Sequence, residues 1–192
     1  RAILAFRAEG AGSDDALAAS LENQLLVDEL LGRPDSDDPC FLFDAVDLAL
    51  TDRFFGAMAM FLLALERGER ALLDTALEQL AEGVKASAEL NLVPQWWLHR
   101  LTIHLLNDLW DCSFHHRLPL APAGGDAPTW PALRTLYLAV LHSRRKAEIE
   151  LWPSQLDAAA RSVDQTDDLV VSLPTSAGKT RIAELCILRC LA

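Results

Sequence analysis

The residues best suited to do chemistry lie close together near Lys179. Thr175, Ser176, Ala177 and Gly178 precede Lys179 and Thr180 in the run Leu169–Leu185, "LVVSLPTSAGKTRIAEL". The apolar, β-branched "LVVSL" predicts a short buried strand after Asp167 and Asp168, and "AGKTRIAELCILRCLA" predicts a helix that starts at the loop. A strand, a tight turn, Gly-Lys-Thr and a helix form the context in which a backbone cradles phosphates. The N–H groups of Ser176 to Thr180 lack helical partners at a helix start and, with the helix dipole, favour an anion. Gly178 admits close approach of the backbone, Lys179 offers a charge to the β and γ phosphates, and the Thr180 hydroxyl can ligate Mg2+. These residues therefore predict an ATP and Mg2+ site.

The strict pattern Gly-x-x-x-x-Gly-Lys-Ser/Thr requires Gly at 173, where this chain has Leu173 followed by Pro174. The variant "LPTSAGKT" resembles motif I of superfamily 2 helicases of the DEAD/DEAH-box type, and is most similar to their Ski-like branch. Upstream, "LWPSQLDA" (Leu151 to Ala158) resembles the Q-type motif of that branch, with Gln155 lying 24 residues before Lys179. The resemblance covers Leu151 to Ala192. It implies that Gln155 reads the adenine edge through its amide, which can donate and accept at once. It also implies that Thr175 to Thr180 bind the phosphates of ATP, and that the parent protein is an ATP-dependent helicase or translocase acting on DNA or RNA. The acidic, coupling and arginine-finger motifs of such motors occur nowhere in these 192 residues. A phosphate cradle without them lacks most transition-state stabilisation, so the chain alone is expected to be inactive in hydrolysis. The first residue is Arg1, and the chain is expected to be an N-terminal portion of something longer. The alternative is a helical protein-interaction scaffold whose phosphate loop belongs to another class of nucleotide switch.

The elements before this region predict a mainly α chain. Residues 1–128 form an acidic helical domain, bundle or solenoid-like. Residues 129–192 form the first strand, loop and helix of a RecA-like α/β domain. Ser13, Asp14 and Asp15 before "ALAASLENQLLVDELL" and Gly32 after it are helix start and stop signals, with Leu17, Leu21, Leu25 and Leu26 on one face. "RPDSDDP" (Arg33 to Pro39) connects to an apolar stretch, Cys40 to Leu65, with an expected break near Thr51–Asp52. "ERGER" (Glu66 to Arg70) is a turn, and Leu73, Leu77 and Leu80 align on the helix that follows. Pro94 opens "QWWLHRLTIHLLNDLW". "RLPLAPAGGDAPTWP" (Arg117 to Pro131) is a linker, and Trp152–Pro153 divides the residues after it.

Charge follows the same division. Residues 1–128 carry 9 Lys and Arg against 21 Asp and Glu, net −12, and residues 129–192 carry 8 against 7, net +1. The acidic part is unsuited to bind phosphate backbones by itself and suits a protein partner. The longest apolar run, Phe54 to Leu65, is 12 residues, short of the roughly 20 a spanning helix needs, and no secretory signal is visible, so a cytoplasmic location is expected. Cys40, Cys112, Cys186 and Cys190 form no Cys-x-x-Cys pair and are expected to be free thiols, with Cys186 and Cys190 as small core residues. Cys112, His104, His115 and His116 match no zinc spacing and are expected to be polar residues at a helix end. Most of the tryptophans are expected to pack between helices, with Trp152 close to the adenine. "HSRRKAE" (His142 to Glu148) is expected to be a solvated helix end. Composition rich in Ala, Leu, Asp and Arg is what a GC-rich bacterial coding sequence gives.

Overall fold

The computed structural model describes residues 39–122, 128–164, 170–172 and 178–192. The described residues are mainly helical. They divide into two compact units, Arg1–Asn107 and Asp108–Ala192.

In the first unit, α1 (Pro39–Arg67) and α2 (Arg70–Glu89) form an antiparallel hairpin, and α3 (Val93–Cys112) follows after a short turn. The α1–α2 turn is closed by Gly68 at φ +72°, a conformation that glycine adopts without a Cβ penalty. The hairpin buries Ala57, Phe61, Ala64 and Leu65 of α1 together with Leu73, Ala76 and Leu80 of α2. An Arg53–Glu82 ion pair crosses it.

Helix α1 runs without interruption through Thr51 and Asp52, where a break is expected from the sequence. Two residues of modest helix propensity cost a few tenths of a kcal/mol each, far less than the burial of the flanking apolar face contributes. Its Phe43–Arg67 portion is also long and apolar enough to cross a membrane by length and composition, contrary to the reading of the 12-residue run alone. A window that tolerates Asp52 and Arg53 extends the apolar stretch.

Helix α3 approaches α2 at His99. His99 is 1 % exposed, its Nδ1 donates to the Gln95 carbonyl at 2.8 Å, and its ring meets Phe54 edge-on with centroids 5.8 Å apart. A Cβ on Gly83 would lie 2.2 Å from the His99 ring. Gln95 Nε2 also donates to Asp47 Oδ1 at 2.7 Å, which ties the start of α3 to the third turn of α1.

In the second unit, α4 (Phe114–Arg117), α5 (Trp130–Ser143), α6 (Pro153–Asp164) and α7 (Lys179–Leu191) surround one core. Phe114, Leu118, Trp130, Leu138, Leu141, Leu151, Val163, Ile182 and Leu185 fill it. The division between units falls inside α3, whereas the charge balance divides the chain at 128/129. Residues 115–119 belong with α5: Trp130 Nε1 donates to the Pro119 carbonyl at 2.9 Å, and the buried Arg134 guanidinium donates to the carbonyls of Leu118 (3.1 Å) and His115 (2.9 Å).

The expected buried strand is not met at the positions described. Val170, Val171 and Ser172 belong to no ladder, and Val170 is 93 % exposed. A strand persists only where a neighbour takes up its backbone groups, and none does so among the described residues.

The contact at Gly83 makes a stability prediction. Gly83→Ala gains about 1 kcal/mol of helix propensity but drives a methyl group into a ring with no room to move, for a net loss of about 1–3 kcal/mol. In a His99→Ala background the same change becomes stabilising. Chemical denaturation of the four proteins checks it; additive effects would show that Gly83 and His99 are not in contact.

Candidate nucleotide site

The two sequence motifs meet. Pro153 begins α6, a favourable first helical position because its missing N–H has no partner to lose. Gln155, two residues on, folds back so that its Oε1 accepts from the Trp152 N–H at 2.8 Å, while Gln155 N–H donates to the Trp152 carbonyl at 2.7 Å. This is the second half of a capping box, with the N3 side chain closing the N-cap amide. The other end of the same amide, Nε2, donates to the Gly178 carbonyl at 2.9 Å. Gln155 is 5 % exposed.

Gly178 is the N-cap of α7, in the left-handed region at φ +74°, ψ 37°. A Cβ there would lie 2.0 Å from Gln155 Nε2. Glycine is therefore required twice, by the backbone conformation and by the amide beside it. The Gly178 carbonyl also accepts from the Arg181 N–H at 3.0 Å, so both of its lone pairs are used.

Lys179 and Thr180 occupy the first turn of α7, and both are exposed. Among the described residues Lys179 makes no ion pair. An exposed ammonium and an exposed hydroxyl in the first turn of a helix are groups that could hold a phosphate with its Mg2+. Thr175, Ser176 and Ala177 lie outside the described residues.

Behind the first turn of α7 lies a network that sequence reasoning missed. Arg181, with its side chain 10 % exposed, pairs with Glu148 and Glu184 and stacks with its guanidinium carbon 5.7 Å from the Phe114 ring centre. Its Nη1 donates to the Tyr137 hydroxyl at 3.0 Å, and that hydroxyl donates to Glu184 Oε2 at 3.0 Å. Arg144 holds Glu148 from the other side at 2.6 Å. Burial is the main cause that pushes the Tyr137 phenol up to about 12, with Arg181 opposing and Glu184 reinforcing it. Of the three, only the i,i+3 spacing of Arg181 and Glu184 is a local signal; Glu148 and Tyr137 are distant in sequence.

Residues 112–114 and 149–151 pair back to back. Leu151 N–H donates to the Cys112 carbonyl at 2.8 Å and Phe114 N–H to the Ile149 carbonyl at 3.1 Å. This pairing delivers Trp152 and Gln155 to their place. Burial, with Glu150 adding to it, pushes the Cys112 thiol up, so it stays protonated. Ser113 Oγ accepts from His116 N–H and caps α4. Among the described residues no group of three His, Cys, Asp or Glu side chains is placed to hold a metal. Trp110 and Trp130 are buried as expected, but Trp97 is exposed, and so is Cys190. Arg144 to Lys146 follow the end of α5 rather than forming its last turn. No protein-family model matches the chain, and comparison with curated proteins finds no match.

Two predictions follow from this geometry. Gln155→Glu keeps the cap acceptor but puts a carboxylate beside the Gly178 carbonyl; a protonated acid can still donate there. The variant is therefore destabilised by about 1–3 kcal/mol at neutral pH and recovers at acidic pH relative to wild type. Denaturation midpoints at the two pH values check it, and a pH-independent deficit would show that the Nε2 bond contributes nothing. Tyr137 is the only tyrosine, so its phenolate absorbance is read directly, with a midpoint near about 12 rather than 10.0. In that window the unfolded chain loses the proton before the folded one, so stability falls as pH rises. Tyr137→Phe removes that part of the slope.

Proposed function

We propose that the chain is the ATP-binding front of a nucleic-acid-dependent helicase or translocase, with residues 129–192 as the opening of a RecA-like α/β domain. The observation that carries the reading is the 2.9 Å bond from Gln155 Nε2 to the Gly178 carbonyl. It joins, at atomic distance, the two segments that separately resemble the Q-type motif and motif I. A chance Ala-Gly-Lys-Thr has no reason to lie against a chance Pro-Ser-Gln.

On this reading the backbone of Thr175 to Gly178 and the N-terminus of α7 cradle the phosphates, Lys179 neutralises them, and Thr180 ligates Mg2+. Bound Mg2+–ATP supplies the phosphoanhydride whose cleavage drives a motor; this chain binds and orients it. Trp152, 53 % exposed beside Gln155, offers a face for the adenine. Exposed apolar pairs four apart, Leu136 and Val140 on α5 and Ile187 and Leu191 on α7, suit cover by the rest of an α/β sheet. DNA or RNA would be engaged by the motor beyond these residues, and the acidic helical part would meet protein, in the cytoplasm.

The exposure of Val170 favours the second reading, a helical scaffold with a loop of another nucleotide-switch class. The two differ in the strand they require downstream, which ends in Asp-Glu-x-His or a close relative in a helicase.

Calorimetric titration of Mg2+–ATP into the chain tests the reading. Wild type binds, and Lys179→Ala binds at least about tenfold more weakly, the loss of one charge-assisted contact to phosphate, with an unchanged circular dichroism spectrum. Equal affinity of the two proteins, or no binding by wild type, would overturn it.

A further inference from the structure

Helix α7 starts poorly by local criteria. Its N-cap is Gly178 in the left-handed region, no side chain caps its first amides among the described residues, and no acidic residue stands in its first turn. A helix start without a side-chain cap frays, and a cation in the first turn opposes the helix dipole. Lys179 and Arg181 are both such cations. Successive helical residues turn by about 100°, so these two, two positions apart, lie on nearly opposite sides of the turn. Lys179 is exposed, whereas the Arg181 side chain is 10 % exposed.

What holds Arg181 comes from four stretches of chain. It pairs with Glu148, which follows α5, and with Glu184 in the next turn of α7. Its Nη1 donates to the hydroxyl of Tyr137 on α5 at 3.0 Å, and its guanidinium lies over the Phe114 ring of α4. Its backbone N–H donates to the Gly178 carbonyl, the same oxygen that Gln155 Nε2 reaches. With Arg144 on Glu148, the charges run Arg144, Glu148, Arg181, Glu184 and cancel. The Arg181 charge is thus taken up inside the protein and is not offered to a ligand, while the exposed ammonium of Lys179 can meet an anion.

We infer that Arg181, held by Glu148, is a positioning residue for the phosphate site, an inference that rests on the nucleotide reading above. Its side chain does the work of the missing cap. Burial of Ile182, Leu185 and Leu188 holds α7 as a whole; the Arg181 contacts add a tie at the first turn, from behind, so that Lys179 and Thr180 stand ready at its front. Groups placed before binding lose less freedom on binding, so the same contact to phosphate is tighter. Arg181 and Glu148 touch no part of the nucleotide and act through Lys179 and Thr180.

Calorimetric titration of Mg2+–ATP into the chain and its Glu148→Gln variant tests this. Glu148 is part-exposed, with its side chain at 39 %, so the variant keeps the fold and its circular dichroism spectrum. It binds about fivefold more weakly, the scale of one ion pair. Leu188→Val, which loosens the far end of the same helix, is the control for stability alone: its denaturation midpoint falls and its affinity stays that of wild type. If Glu148→Gln binds as wild type does while Lys179→Ala loses affinity, the inference falls and the nucleotide reading stands. Equal weakening by Glu148→Gln and Leu188→Val would also overturn it, because the network would then serve stability only. No binding by wild type would overturn the reading and the inference together.

Discussion

Gln155 can hold backbone groups of two different elements only because Gly178 has no Cβ. The amide nitrogen occupies the space that any other residue at 178 would fill. The arrangement of the second unit follows from this contact. It fixes the start of α6 against the start of α7, although 23 residues separate the bonded pair. The pairing of 112–114 with 149–151 holds the approach to α6, and the Arg181 network holds α7 from behind. Each hydrogen bond contributes about 1 kcal/mol net. The penalty for leaving a buried amide or carbonyl without a partner is larger, which makes the set cooperative: loosening one member strands another.

The first unit depends on close packing instead. Gly83 lets the His99 ring lie directly against α2, in the way small residues let helices approach. The ring's Nδ1 is committed to the Gln95 carbonyl, and Nε2 is buried without a protein partner. Asp52 Oδ1, Gln79 Oε1 and Gln95 Oε1 are likewise buried, with no hydrogen-bond partner among the described residues.

Helices were legible where chemistry is local. Pro94 and Pro153 each stand at a helix start, and Gly68 closes the turn in "ERGER" as its neighbours suggest. The candidate site's residue types were legible, and of them Gln155, Gly178, Lys179 and Thr180 are described and fall in one unit. What the sequence did not reveal depends on distant partners. The capping role of Gln155 has a local signal, since Gln at the third position after an N-cap can close the N-cap amide. Arg181 with Glu148 and Tyr137 had no local pattern to announce it. The unbroken α1 and the outward Trp97 show the converse limit, because propensity and side-chain type do not say which neighbour will cover a face.

The Gln155 amide also constrains how a base could be read here. A glutamine amide has two N–H donors and an oxygen with two lone pairs. The protein takes one donor, for the Gly178 carbonyl, and one lone pair, for the Trp152 N–H. One donor and one lone pair remain. On the proposed reading, an adenine that used them would bond to a group already held by the Gly178 carbonyl, and any adjustment of the amide toward the base would be felt there. Recognition of the base and shape of the loop would then be one equilibrium rather than two. A nucleotide whose base presents the wrong donor and acceptor would bind less tightly and would also leave the start of α7, where Lys179 and Thr180 sit, less well ordered.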